Sequence, residues 1–211
     1  MPKVVDHEAH RAELAAAVWR VIGRGGMSSA TVRAVAAEAG VSPGALRHYF
    51  SDQAGLLRFA AEMMTQRVVE RLRGHMAEGD TGRELSQRLL EEMLPLDEDR
   101  RIEVIVWLEG LSQARLDPQL AGLKTAGWFG ERHVCRIAWA SARDLAIPQQ
   151  ATDEFSNPID ELAVDKLHTF LDGLTLQAVA FPEHVSREDV SRRLREFISM
   201  LLVNAERTTS P

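Results

Sequence analysis

The chain has 211 residues, of which 45% are hydrophobic and 27% charged, with a formal net charge of −6. That is the make-up of one or two ordinary folded domains, and it excludes a disordered or fibrous chain. No run of about 18 apolar residues is present, which excludes a helical membrane span, and the single cysteine, Cys135, excludes an internal disulfide.

The opening stretch, MPKVVDHEAHRAEL, is charged and lacks an apolar segment. No secretory signal is expected there, and a reducing cytoplasm is the expected location. Residues 1–60 carry seven Lys and Arg against five Asp and Glu, a net +2, which leaves −8 for the remainder. A mildly basic head on an acidic body can present the head to a polyanion and repel it elsewhere.

Apolar residues recur at three- and four-residue steps and no segment alternates with period two. The expectation is an all-α fold of about nine helices. The first runs from about Asp6 to Gly23, with Leu14, Ala17, Val18, Val21 and Ile22 on one face, and the run GRGG ends it. The second follows Ser29 or Thr31 as N-cap, lines one face with Val32, Val35, Ala36 and Ala39, and stops at Gly40. A short third helix runs from Pro43 to about Tyr49 with Ser42 as cap, since proline is tolerated where its missing N–H has no partner. Ser51 or Asp52 caps a long fourth helix that reaches about His75.

Further helices are expected over Thr81–Leu94, ended by Pro95, over Asp97–Arg115, and from Pro118 to Arg143. Two prolines and many polar residues make 144–160 a long loop. Two strongly periodic helices close the chain, the last behind a capping box in SRED that starts at Ser186, and ERTTSP is expected to fray. Three short helices followed by about six longer ones suggest a head, residues 1–52, and a body, residues 53–211.

The chemistry concentrates in the head. A helix, a tight glycine-containing turn and a second short helix form a helix-turn-helix pattern. A helix fits the major groove of B-form DNA, where its N-terminal residues reach base edges. Arg47 can grip a guanine edge bidentately or a phosphate, and Ser42, His48 and Tyr49 add hydrogen-bonding groups. Ala34, Ala36, Ala37 and Ala39 allow a close helix crossing.

The longer run TVRAVAAEAGVSPGALRHYFSDQAGLL, Thr31 to Leu57, resembles the N-terminal signature of the tetracycline-repressor (TetR) family of bacterial regulators. Val32, Ala36, Gly40, Val41, Ser42, Gly44, Leu46, Phe50 and Leu56 fall where that signature expects such residues. The stretches VWLEGLSQARLDPQL and LHTFLDGLTLQAVAFPEHVS look like the C-terminal domain of betaine-regulator-like members. The chain departs from the family at Arg47, where a tyrosine that touches the DNA backbone is common, and at Gln53, where a lysine is common.

The resemblance implies a transcriptional regulator, most simply a ligand-released repressor. Its partners would be double-stranded operator DNA and a small-molecule effector not yet identified. The DNA-contact set would be Thr31, Val32, Ser42, Pro43, Gly44, Ala45, Arg47, His48, Tyr49 and Gln53. It also implies a homodimer whose last two helices pack on their copies through Leu167, Phe170, Leu171, Leu174, Leu194, Phe197, Ile198 and Leu201. The same stripes equally serve the chain's own core. Candidate pocket-lining residues in the body are Met63, Met64, Met93, Trp107, Leu111, Trp128, Phe129, His133, Trp139, Phe170 and Gln177, though aromatic residues at helical spacing are more often core.

Against an enzyme stands the lack of an HExxH, P-loop, GxSxG or strand-linked GxGxxG motif. His7 and His10 in HEAH are a two-histidine pair that would need further ligands. No metal, cofactor or membrane partner is expected. A helical adaptor would leave the crowded VSPGALRHYF stretch without a purpose.

Overall fold

A computed structural model describes residues 7–47, 49–50 and 52–209. Nine α-helices and two short 3-10 turns make up the ordered elements, and no strand occurs among the described residues. The helices are α1 (His7–Gly25), α2 (Val32–Ala39), α3 (Pro43–Arg47), α4 (Gln53–Ala77), α5 (Gly82–Glu91), α6 (Glu98–Ala114), α7 (Ala121–Arg143), α8 (Pro158–Ala180) and α9 (Arg187–Thr209). None is long and apolar enough to cross a membrane.

Local chemistry explains most boundaries and corrects several. Helix α1 continues to Gly25, two residues beyond expectation, and Gly26 then takes the left-handed conformation at φ 69°. Thr31, not Ser29, caps α2: its hydroxyl accepts from the Ala34 N–H at 3.1 Å, while the Ser29 hydroxyl sits 2.7 Å from the Gly26 carbonyl. Helix α5 stops at Glu91 and the chain tightens into i→i+3 turns, because the residue before Pro95 is disfavoured in α geometry. Pro118–Leu120 is a 3-10 turn capped by Asp117, so the α-helix begins at Ala121.

Helix α7 ends in a Schellman cap, with Asp144 left-handed at φ 55° and the Leu145 N–H donating to the Ala140 carbonyl at 2.9 Å. Asn157 caps α8 with Pro158 in its first turn, so the loop is shorter than expected. The capping box at α9 forms: Ser186 Oγ accepts from the Asp189 N–H at 3.1 Å, and Asp189 Oδ2 accepts from the Ser186 N–H at 3.3 Å. Glu206–Thr209, expected to fray, are helical, and Ser210 and Pro211 lie outside the described residues.

The chain divides into two compact units. The first comprises Met1–Arg67 with Ile105–Lys124, and the second Val68–Val104 with Thr125–Pro211. In the first unit, Leu14, Val18 and Ile22 of α1, Val35 and Ala36 of α2, and Leu56, Leu57 and Ala60 of α4 are buried. Trp19 Nε1–H donates to the Ala60 carbonyl at 3.0 Å and ties α1 to α4. In the second unit, one apolar core draws Leu85, Leu89 and Leu90 from α5, Val134, Cys135 and Trp139 from α7, and the inner faces of α8 and α9.

That core corrects the sequence reading of the last two helices. Leu167, Leu171, Leu174, Leu194, Ile198 and Leu201 are all 4% exposed or less within the single chain. Phe170 and Phe197 stack on each other at 3.9 Å, packed against the same core. Each helix has one strong apolar stripe and the subunit uses it for itself.

Candidate nucleic-acid interface

The turn between α2 and α3 is built from backbone hydrogen bonds and three side-chain choices. At the end of α2 the Val41 N–H donates to the Ala36 carbonyl at 3.0 Å and the Gly40 N–H to the Ala37 carbonyl at 3.3 Å. This is a Schellman cap, which places its C′ residue in the left-handed region, and Gly40 stands there at φ 67°. Two residues on, Ser42 Oγ accepts from the Ala45 N–H at 3.1 Å, and Pro43 occupies the first helical position. The helix stop, turn and restart are therefore each fixed by local bonds.

Helix α3 is anchored from below. Leu46 is 1% exposed and Phe50 is 5% exposed, and the Phe50 ring lies 4.8 Å from that of Phe59 on α4. The backbone N–H groups of Tyr49 and Phe50 both donate to the Leu46 carbonyl, at 2.9 and 3.0 Å, so the chain turns sharply after Arg47. The helix ends at Arg47, earlier than the expected Tyr49. With Leu46 inward, Pro43, Gly44, Ala45 and Arg47 are left exposed together. Tyr49 is exposed as well, with its ring edge-on to His10 of α1 at 5.8 Å.

The flanking candidates lie on neighbouring elements. Thr31 is exposed at the start of α2 and Val32 is half-buried. Gln53 is exposed as the first residue of α4, whose N-terminus is capped by Asp52 Oδ1 accepting from the Gly55 N–H at 2.8 Å. His48 and the alternative cap Ser51 lie outside the described residues. Arg33, exposed in the first turn of α2, is a cation that sequence reasoning passed over. Its signal was the helix phase, since Val35 and Ala36 face inward and position 33 lies off that face.

Electrostatics sort the arginines. Arg20 Nε donates to Glu38 at 2.6 Å and Arg24 pairs with the same carboxylate, clamping α1 to α2. Hydrogen bonds from Arg24 and then Arg20 hold the Glu38 carboxyl below the usual carboxylate range. Arg11 lies over the Phe59 ring and Arg67 over the Trp19 ring, each at 4.9 Å. Arg47, by contrast, stands at the exposed end of α3.

The expected pocket residues fall in both units. Met63 and Met64 of α4 and Trp107 and Leu111 of α6 are half-buried in the first unit. In the second unit Trp139 is core, its Nε1–H donating to Asp160 Oδ1 at 2.9 Å. Trp128 and Phe129 are exposed, and Gln177 is an exposed partner of Arg193. Met93 packs at the core margin. His133 is half-buried, and burial pushes its imidazole down from the ordinary value. A cleft of about 510 Å³ in this unit is lined by Arg83, Gln87, Arg88, Glu91, Arg195 and their neighbours on α5 and α9.

Comparison with known proteins now bears on this geometry. The family model described as bacterial regulatory proteins, tetR family, matches residues 14–59, which contain α2, α3 and the turn. The model described as BetI-type transcriptional repressor, C-terminal, matches residues 82–203, more than half of the chain. The chain belongs to the TetR family. It is a TetR-family transcriptional regulator with a DNA-binding helix-turn-helix.

Among its TetR-family relatives, the HTH-type transcriptional regulator PksA of Bacillus subtilis is 33% identical over 99% of this chain and 98% of its own length. The regulator BetI of Stenotrophomonas maltophilia is 28% identical over 84% of this chain and 85% of its own. A solved transcriptional regulator from Rhodococcus is 27% identical with a TM-score of 0.75, covering 92% of this chain and 96% of that one. A putative regulator from Saccharomonospora viridis, solved in complex with choline, shares the fold at a TM-score of 0.76 and 20% identity, with 92% and 97% covered.

Proposed function

We propose that the chain is a homodimeric repressor that seats α3 of each copy in the major groove of a near-palindromic operator and is released by a small molecule. The observation that carries this reading is the α3 surface: a short helix, capped at its start and anchored by Leu46 and Phe50, with Arg47 exposed at its end. DNA contact falls to residues 1–52, and effector binding and dimerisation to 53–211.

In this reading Arg47 takes a guanine edge or a phosphate, and Ser42, Tyr49 and Thr31 bond phosphates and sugars. Pro43, Gly44 and Ala45 are small enough to let the helix approach the bases. Val32 packs against the backbone, and Gln53 contributes through the N–H groups at the start of α4. His48 belongs to the set by its place in the sequence. The effector acts by preferring the conformer that fits DNA poorly. The choline complex of the Saccharomonospora regulator supports a small-molecule effector in general, without naming one here. A regulator of this kind works in the cytoplasm, where its DNA is.

Selection of bound sequences from random DNA tests the proposal. The expected product is a motif repeated about a two-fold axis, bound with affinity that falls steeply as salt rises. Binding that is insensitive to salt, or that enriches no sequence, would overturn it.

A further inference from the structure

A cluster of metal-ligating side chains stands apart from the nucleic-acid interface, within the second unit. Glu131 on α7 meets His168 and Asp172 on α8, and one ligand atom from each residue lies within 4.8 Å of the other two. His168 and Asp172 are four residues apart and so share one face of α8. Glu131 reaches them from a position 37 residues away in the chain, which is why no sequence motif announces the group.

The spacing suits direct coordination. His168 Nε2 is 3.4 Å from Glu131 Oε2. In a tetrahedral site with metal–ligand bonds of about 2.0–2.1 Å, ligand atoms stand about 3.3 Å apart, so this pair is already at working distance. Asp172 is exposed, so a small rotation of its side chain closes the remaining gap and an ion can enter from solvent on its side. The imidazole is the rigid member. His168 is 2% exposed, and the Trp128 ring lies 4.7 Å from its own.

The donor set decides the class of ion. Magnesium and calcium favour all-oxygen shells, whereas one imidazole nitrogen with two carboxylates suits zinc and its first-row divalent neighbours. Three protein ligands also leave a coordination position for water. We propose that Glu131, His168 and Asp172 form a binding site for a divalent transition-metal ion of the zinc type, which links α7 to α8. In the rival reading His168 is merely a buried histidine hydrogen-bonded to Glu131, and the cluster has no use for an ion.

Zn²⁺ binding to the untagged, chelator-treated full chain separates the two, followed by calorimetry and, with Co²⁺, by quenching of tryptophan fluorescence at Trp128. The expected result is one saturable ion per chain that raises the melting temperature. Because His168 is buried, its replacement disturbs packing as well, so the exposed Asp172→Asn and the half-exposed Glu131→Gln carry the test. Loss of even an outer-shell partner costs metal sites roughly 10–100-fold in affinity, so each variant should weaken binding by at least about tenfold. Neither should shift the melting temperature of the metal-free protein by more than a few degrees. Zn²⁺ binding that both variants leave unchanged, as a site at His7 and His10 would give, overturns the proposal. So does the absence of saturable binding at a large excess of Zn²⁺. Neither result touches the DNA-binding reading, which rests on other residues.

Discussion

Arg47 is the residue on which sequence and structure converge most closely. It is exposed at the end of α3, while Arg20 and Arg24 of the same unit are engaged by Glu38. A bidentate contact to guanine discriminates by about 1–3 kcal/mol, so Arg47→Ala should weaken binding to the selected operator by roughly 10–100-fold. Arg47→Lys keeps the charge but loses the planar fork and should restore little of it. Fluorescence anisotropy across a salt series measures both. Recovery by lysine would assign the residue to a phosphate instead. At the other end of the chain, Asp189 shows what a single charge does for a helix start. Hydrogen bonds from Arg192 and then Ser186 hold its carboxyl down to about 2, below its usual 3.8. A depressed carboxylate stabilises the fold above its unfolded value and loses that contribution as pH falls through the folded one. Thermal melts of Asp189→Asn against the parent should therefore differ above about pH 4 and converge as pH approaches 2. A gap that stays constant across that range would refute the assignment.

At the scale of elements, the α2–α3 turn depends on a few local bonds, and they can be removed one at a time. An added Cβ at Gly40 would meet nothing within 4 Å, so the penalty of Gly40→Ala is conformational alone. The left-handed region costs an alanine about 1–2 kcal/mol, and Ser42→Ala forfeits an N-cap worth about 1 kcal/mol. Both substitutions should lower the melting temperature by several degrees at most, and a tilted α3 should cost operator affinity beyond that. These caps are also why so much of the head was legible in the sequence: Thr31, Gly40, Ser42 and Pro43 act on their own neighbours, and local chemistry needs no knowledge of the fold. Boundaries set by such residues came out within a residue or two, as at α2, α3 and α9. What was not legible depends on which side of a helix meets which partner. Leu167 and Leu174 were expected at an interface with core as the alternative, and the choice falls to packing between α8 and α9. Trp139 looked like a pocket aromatic until Asp160, 21 residues on, was seen to accept its indole N–H. The pairing of Glu131 with His168 gave no signal, because two helices bring them together.

At the scale of the whole molecule, the proposed dimer needs a face, and burial within one chain moves it away from the residues first expected there. The eight residues first expected at the interface are occupied within one subunit, six of them buried and Phe170 and Phe197 in a mutual stack. The same two helices nevertheless expose other large apolar side chains: Leu162 and Leu176 on α8, Met200 and Val203 on α9, each between 43% and 53% exposed. Scattered singly such residues need no explanation, but four on the two helices that close the chain are what a helical dimer face requires. If α8 and α9 pack on their copies through these outer faces, a buried glutamate there is intolerable without a partner. Leu176→Glu and Met200→Glu should each sediment as a 23.5 kDa monomer at micromolar concentration while the parent sediments at twice that mass. The control is Leu174→Ala, two residues from Leu176 but on the inner face and 4% exposed. Truncating it leaves a cavity and should cost about 2–5 kcal/mol of stability, yet the protein that remains folded should still be dimeric. Monomers from the outer pair with dimers from the inner one would separate interface from core. Dimers from all three would move the interface off these helices altogether.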